Sequence, residues 1–292
     1  MNNERKLFRF GLLLTLPATV IFLLFNYYPF VSSLYYSFTQ WDGINKPIFI
    51  GLKNYTDLFH DQAMLHGGLH TLYIVIFGII ISNPLSLLLA LLLDKPFRTK
   101  SILRTAFYLP VIISLVVVSI VWNFLLKYDG VMNAVQTGLG LGSYTQDWLG
   151  SIHYALAMII MISVWQGTGF GAVIYLAGLQ SIPKEILEAS QIDGASGWRK
   201  VIYIIIPLIM PVITICTFFG LVGSLKMFDL PFVLTNGGPG DATLTIAQAI
   251  YNFAFVNQTY GYSTAAGIVF MIICLVVTTL QLRFTRKMEV EL

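Results

Sequence analysis

Residues 188–200 read EASQIDGASGWRK, with four charged side chains and two glycines. Long apolar runs lie on both sides, within residues 154–178 and 201–223. A helix needs about 20 apolar residues to cross the hydrocarbon core of a bilayer. If both neighbouring runs are spans, this polar stretch is a loop held outside the lipid. The reading of this stretch therefore decides the fold.

The composition agrees with a bilayer as the main solvent. Of 292 residues, 57% are hydrophobic and 11% charged, with a mean hydropathy of +0.77. Soluble domains carry roughly 25% charged residues, so this chain is too poor in charge to cover a water-facing surface. The net charge of +3 is weak and scattered, which excludes a nucleic-acid partner. Cys216 and Cys274 both sit inside apolar runs, without a CxxC or Cys/His spacing, and read as packing residues. The sequence has no GxxxxGK[ST] loop, so it has no phosphate-binding motif of that kind for ATP.

Six runs are long enough to span, within residues 10–29, 71–93, 105–126, 154–178, 201–223 and 262–282. They are too long and too evenly apolar for barrel strands, so the expected class is all-α with six transmembrane helices. The first run follows Arg5, Lys6 and Arg9, as in a signal peptide, but no small-residue cleavage site follows, and it is read as an uncleaved span. Basic residues fix the orientation. One set of flanks holds Arg5, Lys6, Arg9, Lys95, Arg98, Lys100, Arg104, Lys184, Arg199, Lys200, Arg283, Arg286 and Lys287; the other holds only Lys46, Lys53, Lys127 and Lys226. The richer set faces the cytoplasm. Both termini and the 188–200 stretch are therefore expected there, in a cytoplasmic membrane.

Pro17, Pro84, Pro110, Pro207 and Pro211 mark the spans. Each tends to kink a helix, which either shapes packing or opens a central cavity. Ionisable groups are nearly absent within the spans. Lys226 and Asp229 stand at the end of the fifth run, and His153 at the edge of the fourth. Ion-driven carriers usually rely on buried acids or histidines as relays, so an ion-coupled secondary carrier is the weaker reading, and energy is expected from a partner.

Residues 181–194 start and stop like a short helix. Ser181 is placed as its cap, Pro183 in its first turn and Gly194 at its exit. It carries an apolar row (Ile182, Ile186, Leu187), small Ala189 and Ser190, and acidic Glu185, Glu188 and Asp193. Such a helix either docks in a groove of another protein or rests on the bilayer as a connector.

At these residues a resemblance appears. The pattern E-A-A-x3-G-x9-I-x-L-P marks the inner-membrane permease subunits of ATP-binding cassette importers. Here it reads Glu188, Ala189, Ser190, Gly194, Ile204, Ile206 and Pro207, departing at Ser190 and Ile206. TNGGPGDAT at 235–243, with Tyr251, Phe255 and Gly261-Tyr262, resembles the signature of the carbohydrate-uptake permeases. So do Tyr28-Pro29, Ser37-Phe38, GLKNY at 51–55 and YLP at 108–110. The likeness covers essentially the whole chain and is to the maltose-type first permease subunit, in a shorter six-span form.

The resemblance implies a type I importer permease fold. Residues 1–66 would form the N-terminal segment, first span and external loop, 67–283 the permease core, and 284–292 a tail. It implies a coupling helix whose Glu188, Ala189, Ser190, Asp193 and Gly194 meet an ATPase. It implies two ATPase subunits, which bind the ATP and magnesium, a second permease subunit and an extracytoplasmic sugar-binding protein, with no cofactor, metal or catalytic residue in this chain. It places Trp165, Gln166, Gly167 and Phe170, and Gly220, Ser224, Met227, Phe228 and Asp229, near the substrate pathway. Amides and hydroxyls beside aromatic rings suit a sugar, although the same residue types also serve helix packing. Where the maltose-type pattern has asparagines, this chain has Ser224 and Met227. An importer of glycerol phosphate or another anion is the alternative within the class, with Lys226 as its cation.

His60, His66 and His70, spaced six and four apart in a polar external segment, read as solvated surface rather than a metal site. Residues 243–255 read as an interfacial helix.

Overall fold

The computed structural model describes residues 14–95 and 98–289. The first run's charged flank, Arg5, Lys6 and Arg9, lies outside the described residues, as does the run's own start. Helices dominate, apart from one two-stranded pair. The chain divides into two compact units, one of Met1–Asp61 with Ile250–Met271, the other of Gln62–Ala249 with Ile272–Leu292.

In the first unit, α1 (Leu14–Tyr36) continues past the expected end at residue 29. Strands β1 (Thr39–Gln40) and β2 (Ile48–Phe49) pair antiparallel, Thr39 opposite Phe49. The loop between them is closed by Asp42, whose Oδ1 accepts the N–H groups of Ile44 (3.0 Å) and Asn45 (2.8 Å). Trp41 stacks on Tyr36 at 4.1 Å. The buried Asn54 of α2 (Lys53–Leu58) donates to the carbonyls of Ser37 and Thr39, pinning the chain where it leaves α1.

The second unit holds α3 (Gln62–Asp94), α4 (Lys100–Ile112), α5 (Leu115–Leu126), α6 (Val131–Gly138), α7 (Ala155–Gln180) and α8 (Lys184–Ile192). It continues through α9 (Gly197–Leu208), α10 (Met210–Leu225) and α11 (Asp229–Thr235). Helix α12 (Ile246–Val256) covers most of the expected 243–255, and α13 (Tyr260–Arg286) the last run. Among the described residues five helices are long and apolar enough to cross a membrane, six if the bent pair α9–α10 is one span.

Two expected spans are not single helices. The run at 105–126 breaks at Ile113 and Ser114, both extended. Pro110 offers no N–H to the helix, and the Gln166 side-chain amide donates to the freed carbonyls of Pro110 (2.9 Å) and Ile113 (3.5 Å). Ser114 then caps α5 by accepting the N–H of Val117. The membrane-length segment is instead Leu115–Gly138. The run at 201–223 bends by 77° at Ile209, between Pro207 and Pro211. Neither proline donates, so the helical ladder cannot carry through, and the bend results.

Two clusters form the core of this unit. Ala90 and Leu93 of α3, Tyr175, Leu176 and Leu179 of α7, Ile182, Ile205, Ile209 and Cys216 pack together. Ile74, Val118, Leu126, Ile159, Ile162, Leu230 and Leu234 make the second cluster. Lipid is as apolar as these side chains, so helix association depends on close approach. Gly169 provides it: a Cβ there would collide with the carbonyl of Phe107. Both cysteines are free, and Cys216 is buried.

Candidate functional site: a polar cavity and an exposed helix

A cavity of about 330 Å³ opens between α3, α7, α10 and the turn into α11. Gln166, Gly167 and Phe170 line it from α7, and Gly220, Ser224, Met227, Phe228 and Asp229 from the α10 end. Trp165 does not join them. It meets Trp122 edge to face at 5.6 Å and stands 43% exposed, because one step along a helix turns a side chain by about 100°.

Sequence reasoning missed one wall. Gly78, Ser82 and Asn83 of α3 line the cavity, joined by Phe219 of α10, while Lys226, the cation of the anion-importing alternative, lines it as well. The available signal was Ser82-Asn83-Pro84 inside an otherwise apolar helix, since a polar group at that depth is expensive without a partner. Asn83 is held at both ends: Tyr175 donates to its Oδ1 (3.0 Å) and its amide donates to Thr217 (3.4 Å). Gln166 spends its amide nitrogen on the α4 break. The ends left for a ligand are the hydroxyls of Ser82 and Ser224, the Gln166 Oε1, Lys226 and Asp229. Lys226 and Asp229 are both exposed, and no ion pair joins them. The rings of Phe170 and Phe219 meet edge to face (5.8 Å), and Phe228 stacks on Phe232 (4.8 Å).

The second feature is α8. Pro183 is its N-cap residue rather than part of its first turn, and it offers no side-chain cap. Ser181 does not cap it either: the hydroxyl donates back to Gly178, ending α7. Ile182 is buried in the first core cluster and Leu187 packs against it, so the apolar row holds the helix to its own unit. Lys200 donates to the Leu187 carbonyl at 3.1 Å. Ser190 is buried, its hydroxyl donating to Leu187. Glu188, Ala189, Asp193 and Gly194 are exposed. Gly194 adopts φ +79°, a left-handed exit that favours glycine. Ile192 (87% exposed) and Trp198 extend the exposed surface.

The NGGPG loop turns through left-handed Asn236, Gly237 and Gly240, and Thr243 donates to the Gly238 carbonyl. The histidines expected as surface differ. His60 and His66 are exposed, whereas His70 is half-buried on α3 with Nδ1 3.0 Å from the Leu244 carbonyl. No group of three metal-ligating side chains exists among the described residues.

A cavity with a few polar groups among membrane-length helices, and a short polar helix outside the apolar runs, suit a transport permease. The chain belongs to the family described as binding-protein-dependent transport system inner membrane component, whose model matches residues 82–290. It is 34% identical, over the full length of both chains, to the probable starch degradation products transport system permease protein AmyD of Thermoanaerobacterium thermosulfurigenes. It is 31% identical to the arabinooligosaccharides transport system permease protein AraP of Bacillus subtilis, over 96% of this chain and 89% of that one. Its fold matches a chain in the crystal structure of a bacterial alginate ABC transporter in complex with alginate pentasaccharide-bound periplasmic protein. The TM-score is 0.83 at 25% identity, covering 98% of this chain and 96% of that one. The chain is thus a multi-pass permease subunit of an ABC importer.

Proposed function

We propose that this permease carries a sugar across a bacterial cytoplasmic membrane by alternating access. The observation that carries this reading is the cavity, where uncommitted hydroxyls of Ser82 and Ser224 and the Asp229 carboxylate lie beside Phe170, Phe219 and Phe228. Sugars present hydroxyls to such groups and C–H faces to such rings. The relatives, named for the transport of starch degradation products and of arabinooligosaccharides, point the same way.

In this reading the chain does no covalent chemistry and holds no cofactor. Two ATPase subunits bind ATP and magnesium and meet the exposed face of α8 through Glu188, with Ala189, Asp193 and Gly194 around it; Ser190 sets the helix's inner face. A second permease closes the open side of the cavity, since a polar half-cavity facing lipid would be costly. A binding protein delivers sugar from outside, and both termini face the cytoplasm.

A mild-detergent pull-down of the tagged full chain from its native host, with mass spectrometry, tests this. Co-elution of an ATPase, a second permease and a binding protein is expected. The chain alone, or as a homodimer without an ATPase, would sink the coupling role of α8 and favour an ion-driven carrier.

Lys226 in the cavity favours a second reading, import of an anion such as glycerol phosphate. Loss of affinity for a phosphorylated ligand in Lys226→Ala, with sugar uptake absent in the parent, would select it.

A further inference from the structure

The first unit holds a hollow of its own, of about 600 Å³, which shares no residue with the cavity. Its wall comes from β1 and the loop after it, from α2, and from the turn between α12 and α13. Small-ligand sites enclose about 300–1,000 Å³ and combine an apolar wall with a few placed polar groups. The apolar wall here includes Trp41 and Tyr262. Both are fixed from within the unit. Trp41 stacks on Tyr36, and its indole N–H donates to the Asn45 carbonyl at 2.8 Å. The Tyr262 hydroxyl donates to Asp61 at 2.8 Å.

The polar wall is uncommitted. Asn54 lines the hollow while only 6% exposed, and its amide nitrogen is spent on the carbonyls of Ser37 and Thr39. The atom left, Oδ1, takes no hydrogen bond from the described residues and is not enclosed. Lys53 and Asp57, one turn apart on α2, and Lys46 are exposed without an ion pair among the described residues. Gln258 adds an amide from left-handed backbone at φ +55°. Acceptors, Asn54 Oδ1 and Asp57, thus stand beside donors, Lys46 and Lys53. An anion would leave the acceptors unpaired, and a cation would meet the lysines. A hydroxyl both donates and accepts, so an uncharged polyhydroxylated ligand satisfies both sets, and its C–H face suits the aromatic wall.

We propose that this hollow is a second carbohydrate subsite, on the extracytoplasmic side, where Asn54, Asp57, Lys53 and Gln258 hold the hydroxyls of a sugar against Trp41 and Tyr262. The inference rests on the importer reading and on the orientation given with it.

The test uses the full chain in its purified transporter, in nanodiscs and without the binding protein, with Gly223→Trp filling the cavity. Maltotriose and arabinotriose are titrated by calorimetry, and at least one is expected to bind. Asp57→Ala should weaken that binding roughly tenfold, the loss of one charge-assisted hydrogen bond. Gln258→Gly removes the amide and relieves the left-handed backbone, so it should bind more weakly yet unfold no earlier than its parent, which separates a lost contact from lost folding. If Gly223→Trp does not assemble, the same two variants in the otherwise unaltered transporter should lose one bound sugar. Binding of neither sugar would overturn the subsite. Uptake of either sugar by the unaltered transporter would then show that the importer reading survives its failure. Sugar affinity unchanged by both variants, with weaker docking of the binding protein, would also overturn the subsite and make the hollow a protein contact.

Discussion

The hydroxyl of Tyr175 donates to Oδ1 of Asn83 at 3.0 Å, joining α7 to α3 at the cavity wall. Tyr175 is 1% exposed and packs in the first core cluster, so two losses can be separated. Hydrogen bonds between membrane helices contribute only about 0.6 kcal/mol on average, whereas emptying a large core site costs about 3–5 kcal/mol. Tyr175→Phe should barely shift thermal unfolding in detergent, and Tyr175→Ala should shift it strongly. Equal losses would mean that the polar network, not packing, holds the wall.

Glu188 is exposed on α8 with no ion pair among the described residues, so reversing its charge leaves the fold intact. Disrupting a charged contact at a partner surface costs about 2 kcal/mol or more, roughly thirtyfold. Glu188→Lys should cut uptake by that factor while membrane insertion stays normal. Full uptake by the variant would remove α8 from the coupling path.

Glycines separate passage from packing. A Cβ on Gly223 meets nothing within 4 Å, in the cavity, whereas one on Gly169 collides with the Phe107 carbonyl. Gly223→Trp should abolish uptake with normal assembly. Gly169→Ala should instead lower stability by about 1–3 kcal/mol, an overpacking penalty, read as reduced yield and earlier unfolding. Uptake unaffected by Gly223→Trp would move the pathway elsewhere.

Asp42 is held below the ordinary carboxylate value of 3.8, first by the Asn45 N–H, then by Ile44 and the Asn45 side chain. A lowered folded pKa gives stability that is full above 3.8 and lost as pH falls through the lower folded value. The protection factors of residues 41–46, exchange corrected for its intrinsic pH dependence, should therefore be flat from neutrality to about pH 4 and fall below it. Asp42→Ala should show the lower protection at every pH.

Much of the site was legible because lipid punishes polarity. Gln166, Ser224, Lys226 and Asp229 stand out in apolar runs, and all four line the cavity. Ser82 and Asn83 carry the same signal within the apolar run 71–93, and they too line the cavity. Trp165 failed for a geometric reason: adjacent helix positions share a sequence window but not a face. Gln166 has a double role that only contacts reveal, since its amide reaches 56 residues back to the Pro110 carbonyl.

Composition and periodicity alone determined an all-helical membrane protein, the approximate place of each apolar run and the polar stretch between two of them. These follow from the cost of exposing backbone and charge to lipid, which acts on every residue locally. Tertiary structure decided where the runs break, at Ile113–Ser114 and Ile209, and which faces enclose the cavity. A proline removes one donor wherever it stands. At Ile113–Ser114 a distant side chain, Gln166, takes up the carbonyls of Pro110 and Ile113, and no local pattern carries that.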